Sequence, residues 1–326
     1  MYIKDLKFSL WVDFIQRDFL DGEFVELIKE GIINGATSNP AIFKNAILNS
    51  QSYKEQLEKL QDFNPKQKYE AVAMFDIQKA ADILKPLYDD GNDGYVSIEV
   101  DPFLCDDAKE TIKEGKRLFE NIGRDNVMIK IPATEAGYEA MSELVSLGIP
   151  INATLVFSKS QAISCAKAIE SGLKKGGVDV DSVISVFVSR IDRAIDNELQ
   201  KHGIDTALSG IYNSSDIYET IEQMGIKNLR VLFASTGVKD DSLKPYYYVD
   251  GLLAYNSVNT APIDTIKAFC RLKNTEAKLP LNQALVKEHF KKIEDAGIDF
   301  DKLIENQIAD GLRSFKEAFE DILESI

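Results

Sequence analysis

A lysine lies inside a short apolar stretch of the chain, Asn126-Val-Met-Ile-Lys-Ile-Pro-Ala-Thr134. Successive side chains of a strand point to opposite faces, so Val127 and Ile129 share one face while Met128 and Lys130 share the other. Two covered faces are typical of a parallel strand in an α/β protein. Burial disfavours a charged ammonium, and a neutral amine attacks carbonyl groups, so Lys130 is a candidate Schiff-base former. The alternative is a lysine that reaches water at the strand end and has no catalytic role.

Polar side chains recur in the other apolar stretches. Alternation in Tyr95–Val100 places Glu99 on the face opposite the apolar residues, and in Ile151–Leu155 it does the same for Asn152 and Thr154. The same pattern predicts inward positions for Asp13, Thr37, Asn39 and Ser185, and for Ser235 on the face that Phe233 occupies. Buried polar groups cost free energy unless they are paired, so a set at equivalent depth indicates a site. Any one of them alone is equally well explained as a satisfied core group or a strand-end cap.

Short apolar runs alternate with longer amphipathic segments, which predicts repeated β-α units and a parallel sheet. Eight strands are predicted: Leu10–Phe14, Gly35–Asn39, Tyr95–Val100, Val127–Ile131, Ile151–Phe157, Val183–Val188, Arg230–Ser235 and Ser257–Ala261. Eight is the strand number of a (β/α)8 barrel, and catalytic groups collect at the C-terminal ends of such strands. Lys130, Glu99 and Asp13 would then meet as a nucleophile with two acid-base groups, which suits imine chemistry.

Helical spacing fills the gaps between the strands. Helices are predicted over Glu23–Glu30, Ile42–Leu48, Tyr53–Leu60, Lys66–Tyr88, Asp106–Ile122, Ser158–Gly172, Asp192–Lys201, Asp216–Met224 and Thr265–Leu272. Ser158 and Gln161 form a capping-box pattern, Asn213–Asp216 is interpreted as a helix N-cap, and Pro86 is expected to kink or stop its helix. Two further helical stretches, Leu281–Ala296 and Phe300–Ile326, follow the last strand. We expect one domain over residues 1–326, with 281–326 as a helical extension on or across the barrel.

Composition excludes several classes of protein. With 44% hydrophobic and 28% charged residues, the composition is typical of globular proteins. Charged residues interrupt the N-terminal segment, so we expect a cytoplasmic protein with no membrane partner. A net charge of −15 opposes binding to nucleic acid. The three cysteines show no Cys-x-x-Cys spacing, which favours a reducing compartment. His202 and His289 are expected on exposed helical segments, so neither a histidine triad nor a histidine metal site is predicted.

Six stretches together resemble one known family. They are Gly35-Ala-Thr-Ser-Asn-Pro40, Ser97-Ile-Glu-Val-Asp101, Ile129-Lys-Ile-Pro-Ala-Thr134, Ile151-Asn-Ala-Thr-Leu155, Ser185-Val-Phe-Val-Ser-Arg-Ile-Asp192 and Leu232-Phe-Ala-Ser-Thr-Gly-Val-Lys239. In this order, from the second strand to the seventh, they are similar to the transaldolase family in its longer bacterial form. The resemblance implies a (β/α)8 barrel, sugar-phosphate substrates, no metal and no organic cofactor.

The resemblance also implies roles for individual residues. Lys130 would form the imine with the C2 carbonyl of a ketose phosphate, and Asp13 would take the C4 hydroxyl proton as the C3–C4 bond breaks. Glu99 and Thr154 would hold a water molecule for the proton transfers of imine formation and hydrolysis.

Five further residues match substrate contacts of the family. Asn39 and Asn152 would bind hydroxyl groups of the three-carbon fragment, with Ser185 beside them, and Arg190 and Ser235 would contact the phosphate. One position departs from the pattern, because shorter members carry an arginine where this chain has Gly237. Lys239 is the nearest basic residue and is the candidate for the second phosphate contact.

Two alternative functions stay open at this point. The first is a class I aldolase that releases dihydroxyacetone, as in a shorter sister group, although the length of this chain and its C-terminal helices argue against it. The second is a barrel that binds sugar phosphates without catalysis, which would need no nucleophile. The oligomeric state, monomer or homodimer, is also left open.

Overall fold

Eight parallel strands close into a barrel in the computed structural model, which describes residues 2–326. Nine strands are found among residues 2–326, of which β2 to β9 form the barrel: β1 (Tyr2–Ile3), β2 (Phe8–Val12), β3 (Gly35–Thr37), β4 (Tyr95–Glu99), β5 (Val127–Pro132), β6 (Ile151–Val156), β7 (Ser182–Phe187), β8 (Leu229–Ala234) and β9 (Ser257–Ala261). Each strand pairs with the next, and β9 returns to β2. The predicted (β/α)8 fold and its eight strands are confirmed. The short strand β1, which pairs antiparallel with β2, was not predicted.

Alternating side chains divide the apolar residues of the barrel into two layers. Val127 and Ile129 belong to the outer layer, between the strands and the helices. Met128 belongs to the inner layer, together with Trp11 and Tyr95 from neighbouring strands. The predicted alternation in β5 is therefore confirmed, and Lys130, two residues after Met128, points into the barrel.

Fourteen helices are found among residues 2–326. They are α1 (Arg17–Asp21), α2 (Glu23–Lys29), α3 (Pro40–Asn49), α4 (Lys54–Glu58), α5 (Pro65–Asp89), α6 (Ala108–Ile122), α7 (Glu135–Ser146), α8 (Lys159–Gly176), α9 (Ser189–Lys201), α10 (Ser209–Met224), α11 (Tyr247–Gly251), α12 (Ile263–Cys270), α13 (Gln283–Asp295) and α14 (Phe300–Ser325). Two 3₁₀ turns cover Gln51–Tyr53 and Pro102–Leu104. The predicted capping box opens α8, since Ser158 Oγ accepts from the Gln161 amide at 3.1 Å and Gln161 Oε1 accepts from the Ser158 amide at 3.2 Å. Helix α5 continues through Pro86 to Asp89.

Helix α7 was missed in the sequence. It begins after Thr134, whose hydroxyl accepts a hydrogen bond from the Gly137 amide at 3.0 Å. A glycine in the first turn weakens a helical pattern. The structure requires it there, because a Cβ at position 137 would lie 2.0 Å from the carbonyl oxygen of Pro132. The close approach of α7 to the end of β5 therefore accounts for the glycine at this position.

Helix α10 begins earlier than the sequence indicated. The predicted N-cap at Asn213–Asp216 is wrong, because α10 starts at Ser209 and these residues lie inside it. Asp192, on helix α9, accepts a hydrogen bond from the Gly210 amide at 2.7 Å. The start of α10 is thus satisfied by a side chain from another helix, which local sequence patterns do not reveal.

The predicted exposure of His289 is also wrong. Its side chain is buried between α13 and α10, with Nε2 2.8 Å from the hydroxyl oxygen of Ser209. The ring of Tyr212 packs edge-on against it at 5.0 Å between ring centroids. Burial lowers the pKa of this imidazole. His202, by contrast, is exposed as expected.

Helix α14 packs across the barrel, as predicted for the C-terminal segment. It contacts α3, α5, α9 and strand β6. Ile304 and Phe315 on its buried face join the inner apolar layer, whereas Phe319 and Ile322 join the outer layer. The division of the chain into one domain with an extension over 281–326 stays a prediction.

A buried ion pair closes the barrel at the N-terminal ends of the strands. The Arg230 guanidinium pairs with Asp93 at 2.5 Å, and Asp93 also accepts from Trp11 Nε1 at 2.9 Å. Beside them, the Tyr95 hydroxyl donates to Asp181 at 2.9 Å. Because both charged groups are largely removed from water, each one depends on the other for solvation.

Removing one partner of this pair is expected to destabilise the fold. Asp93→Ala leaves the Arg230 guanidinium and Trp11 Nε1 without their acceptor, so the free energy of unfolding should fall by about 3–5 kcal/mol. Urea denaturation measures the change. Asp295→Ala, which breaks the exposed pair with Lys291, is the control and should change the midpoint little. Equal midpoints for the two variants would contradict the role assigned to the buried pair.

Candidate active site

Lys130 lies at the C-terminal end of β5, inside the barrel. Strand register places it between Glu99 on β4 and Asn152 on β6. Its Nζ lies 3.3 Å from Glu99 Oε2 and donates to the carbonyl oxygen of Ser38 at 3.0 Å. The lysine is only 5% exposed, so the alternative of an ammonium that reaches bulk water is excluded. The expected loss of its charge stays a prediction.

Lys130 opens onto a cavity of about 160 Å³ at the C-terminal mouth of the barrel. Seven of the predicted site residues line it: Asp13, Asn39, Lys130, Thr154, Ser185, Arg190 and Ser235. Glu99 and Asn152 lie directly behind this wall and contact residues in it. Nine of the ten predicted residues are therefore brought together.

Lys239 is the predicted residue that the structure does not bring to this cavity. It is exposed and lines a neighbouring cavity with Ser189 and Arg193. The Ser189 and Ser235 hydroxyl groups, 3.1 Å apart, lie between the two cavities. A second phosphate contact from Lys239 would therefore require a substrate that extends past this pair of hydroxyls.

Asp13 lies in the cavity wall just after β2. The Thr37 hydroxyl donates to Asp13 Oδ1 at 2.7 Å and is itself 2.7 Å from the Thr260 hydroxyl. Burial raises the pKa of the Asp13 carboxyl above its usual range, although the nearby Lys130 and the Thr37 hydrogen bond act in the opposite direction. A buried carboxyl with a raised pKa is suited to general acid-base catalysis.

Glu99 lies on the other side of Lys130. Burial raises the pKa of its carboxyl to about 7, against the opposing effect of the Lys130 charge. Neither oxygen of Glu99 receives a well-formed hydrogen bond from the described protein, and the Thr154 hydroxyl is also buried without a protein partner. Buried polar groups normally find partners. Glu99 and Thr154 are therefore available to bind a small polar molecule.

Amide and hydroxyl groups continue around the wall from strand to strand. Ser185 donates to Asn152 Oδ1 at 2.6 Å, and Asn152 Nδ2 donates to the Ser97 hydroxyl at 3.1 Å. This chain of bonds holds the Asn152 amide in one orientation. Asn39 has a second, structural use, because its Oδ1 accepts from the Ile42 amide at 3.0 Å and caps α3.

Arg190 supplies the positive charge of the cavity wall. It follows β7 in the first turn of α9, and its guanidinium lies over the Phe187 ring at 5.1 Å from the centroid. Burial lowers the pKa of this guanidinium, with Arg193 acting in the same direction. Cations beside a helix N-terminus suit an anionic ligand.

Ser235 reaches the cavity for a reason that differs from the predicted one. Phe233, expected on the same inward face, packs in the outer layer, while Leu232 and Ala234 point inward. Strand β8 ends at Ala234, and Ser235 has a φ of +56°, which turns its side chain into the site. Strand alternation therefore identified Ser235 correctly, but the turn of the backbone, and not alternation, directs its side chain into the cavity.

Thr260 and Phe315 are among the lining residues that were not predicted. Thr260 alternates with Val258 in β9, so the pattern used for the other strands would have found it. Phe315 lies on α14, far beyond the last strand, and its ring faces Lys130 Nζ at 5.6 Å from the centroid. No local sequence pattern relates Phe315 to Lys130.

The described residues offer no metal centre. Among residues 2–326, no group of three or more His, Cys, Asp or Glu side chains is placed to hold a metal ion. No helix in the same range is both long and apolar enough to cross a membrane.

Comparison with known proteins adds the family context. A family model described as Transaldolase/Fructose-6-phosphate aldolase matches residues 10–326. A protein of Campylobacter jejuni (strain RM1221) named transaldolase is 45% identical, with 98% of this chain and 99% of that protein covered. A protein of Helicobacter pylori (strain Shi470), also named transaldolase, is 44% identical with the same coverage.

The pKa of Glu99 leads to a testable dependence of stability on pH. Because the folded-state pKa is raised from 4.5 to about 7, this group does not oppose folding below pH 4.5, opposes it increasingly as the pH rises from 4.5 to 7, and opposes it by a constant amount above pH 7. Glu99→Gln removes this titration. The difference in unfolding free energy between the variant and the unmodified protein should therefore shift in favour of the variant by about 1–3 kcal/mol from pH 4.5 to pH 8.

Urea denaturation of both proteins across this pH range measures the gain. Asp192 also has a raised pKa, but it is present in both proteins and cancels in the comparison, whereas Asp13 interacts with Glu99 and its titration is part of the measured difference. Parallel stability curves for the two proteins would contradict the buried, titrating carboxyl.

Proposed function

The chain belongs to the transaldolase/fructose-6-phosphate aldolase family, and we propose that it is a transaldolase of the non-oxidative pentose phosphate pathway in the cytoplasm. It transfers a dihydroxyacetone unit from sedoheptulose 7-phosphate to glyceraldehyde 3-phosphate and yields erythrose 4-phosphate and fructose 6-phosphate. The observation that carries the proposal is a buried lysine that faces a cavity between two carboxyl groups of raised pKa. This is the set of groups that imine chemistry needs.

Lys130 is the proposed nucleophile. Its amine adds to the C2 carbonyl of the ketose phosphate, and loss of water from the carbinolamine leaves a protonated imine. Glu99, 3.3 Å from Nζ, and Thr154 hold the water molecule that carries protons in this step. Their unsatisfied, buried polar atoms support that role. Because the imine itself accepts electrons, the proposed reaction requires neither an organic cofactor nor a metal ion.

Asp13 is the proposed acid-base group for bond cleavage. It accepts the proton of the C4 hydroxyl while the C3–C4 bond breaks, and the electron pair of that bond passes to the imine nitrogen. An aldose phosphate leaves, and the enamine of dihydroxyacetone stays on Lys130. The same steps in reverse join the enamine to the second aldehyde, with Asp13 returning the proton. The Thr37 hydrogen bond orients the carboxyl for both directions.

The remaining residues bind the two ends of the substrate. Asn152, Ser185 and Asn39 contact the hydroxyl groups of the three-carbon unit, and the hydrogen bonds that Asn152 makes in the protein fix its orientation. Arg190 and Ser235 contact the phosphate, which a guanidinium can bind through two parallel hydrogen bonds. Lys239 is left as an outer contact for a longer substrate, since it lies in the neighbouring cavity.

Borohydride trapping tests the nucleophile. Reduction of the protein in the presence of fructose 6-phosphate should leave a three-carbon adduct on the peptide that carries Lys130, because cleavage precedes trapping. Peptide mass spectrometry locates it, and Lys130→Ala should give no adduct. An adduct on another lysine would contradict the assigned mechanism.

A coupled assay separates the transferase from the aldolase alternative. Erythrose 4-phosphate should accumulate from sedoheptulose 7-phosphate only when glyceraldehyde 3-phosphate is present as acceptor. Free dihydroxyacetone as the main product would favour the aldolase. Ligand binding without either product would favour a barrel that only binds sugar phosphates.

Substitution of Arg190 tests the phosphate contact. Arg190→Ala should raise KM for fructose 6-phosphate by about 10–100-fold because a charge-assisted contact is lost, with little effect on an unphosphorylated donor. Arg271→Ala, an exposed arginine that lines neither cavity, is the matched control and should leave KM unchanged. Lys239→Ala should have a smaller effect than Arg190→Ala, and the reverse order would contradict the placement of the phosphate.

A further inference from the structure

One aromatic ring from the C-terminal helix closes the cavity beside the reactive nitrogen. Phe315 is 4% exposed, lines the cavity and presents its ring to Lys130 Nζ at 5.6 Å from the centroid. The face of an aromatic ring attracts a cation at this distance. A protonated imine would carry its positive charge on the same nitrogen, so the ring lies where it can stabilise that cation and occupy space that water would otherwise fill.

A glycine one turn before Phe315 lies close to residues at the mouth of the barrel. A Cβ at Gly311 would lie 2.9 Å from Leu155 Cδ2 and 3.6 Å from Arg190 Nη1. Leu155 has a φ of +57° at the irregularity in β6 between Ala153 and Val156. The backbone of α14 therefore lies close to the mouth of the barrel at this point, one turn before the Phe315 ring.

The helix is held on both sides of Phe315 by contacts outside the cavity. Before it, Ile304 joins the inner apolar layer. After it, the Phe319 ring packs edge-on against Tyr69 at 5.2 Å between centroids, and Asp321 pairs with Lys44 on α3. The helix thus has anchors other than Phe315, and the ring that faces Lys130 is not the only contact that holds α14 in place.

We infer that Phe315 determines the fate of the three-carbon intermediate, by favouring its transfer to an aldehyde over its hydrolysis. The inference rests on the proposed function and names the residue that decides between two products of the same site. In hydrolysis, the enamine takes a proton at C3, water adds to C2 of the resulting imine, and the C–N bond breaks to release dihydroxyacetone and the Lys130 amine. The Phe315 ring lies beside the nitrogen, on the side of the cavity that α14 covers, and limits the approach of solvent to C2.

The test compares two products of one reaction. Fructose 6-phosphate is supplied as donor and erythrose 4-phosphate as acceptor, and free dihydroxyacetone is measured against sedoheptulose 7-phosphate. Phe315→Ala should raise the ratio of hydrolysis to transfer by about tenfold or more, because water gains access to the intermediate. Ile304→Ala is the matched control, since it removes a buried apolar side chain of the same helix that does not line the cavity, and it should keep the ratio of the unmodified protein.

Each outcome bears on the inference. A proportional loss of both products in Phe315→Ala, or an equal rise of the ratio in Ile304→Ala, would assign the residue to packing alone and overturn it. If Phe315→Ala does not fold, Phe315→Leu replaces it; the smaller side chain should raise the ratio to a lesser degree, and an unchanged ratio would overturn the inference. An unmodified protein that gives neither product nor a borohydride adduct would instead contradict the proposed function.

Discussion

Removal of the Lys130 amino group from water is the constraint on which the rest of the site depends. Strand pairing between β4 and β5 places Glu99 beside it, so that two ionisable groups share one enclosed space. Burial disfavours the charged form of the Glu99 carboxyl, and the Lys130 charge partly offsets that cost. The pair is held by the closed barrel, which allows no shift of register between the two strands. The geometry of the nucleophile is thus a consequence of closure.

The barrel interior has an apolar layer toward the N-terminal ends of the strands and a polar layer at their C-terminal ends. Trp11, Tyr95 and Met128 fill the lower part, and the Arg230–Asp93 pair closes the N-terminal end beneath them. Polar groups occur above this filling, at the C-terminal strand ends where β/α barrels place their reactive residues. The apolar layer gives the polar layer a rigid base, and α14 covers part of it from above.

Local charge in the site opposes the charge of the whole protein. The chain carries −15 overall, which by itself would repel a sugar phosphate. Arg190 faces the cavity and provides a positive charge at short range, where solvent screens it least. Together with Lys130, it opposes the rise in pKa that burial causes at Asp13 and Glu99. Substrate binding and proton transfer therefore both depend on the Arg190 guanidinium.

Strand alternation, a local property of the sequence, was sufficient to determine the eight strands and to place Lys130, Glu99, Asn152 and Thr154 toward the interior. It placed Phe233 on the inward face together with Ser235, whereas Phe233 packs in the outer layer, because the backbone turns out of the strand at Ser235. Only the tertiary structure decided that Lys239 lies in a separate cavity, since that depends on the path of a loop after β8.

The helices show the same difference between local sequence patterns and tertiary contacts. A capping box or an amphipathic stripe depends on residues that are only a few positions apart, so most helices were predicted from the sequence. The start of α10, the burial of His289 and the contact of Phe315 with Lys130 join residues that are 18, 80 and 185 positions apart, respectively. Such contacts are set by how whole elements pack, and no pattern inside either segment encodes its partner. The sequence alone therefore determined which groups the strands present, and the packing decided which of them meet.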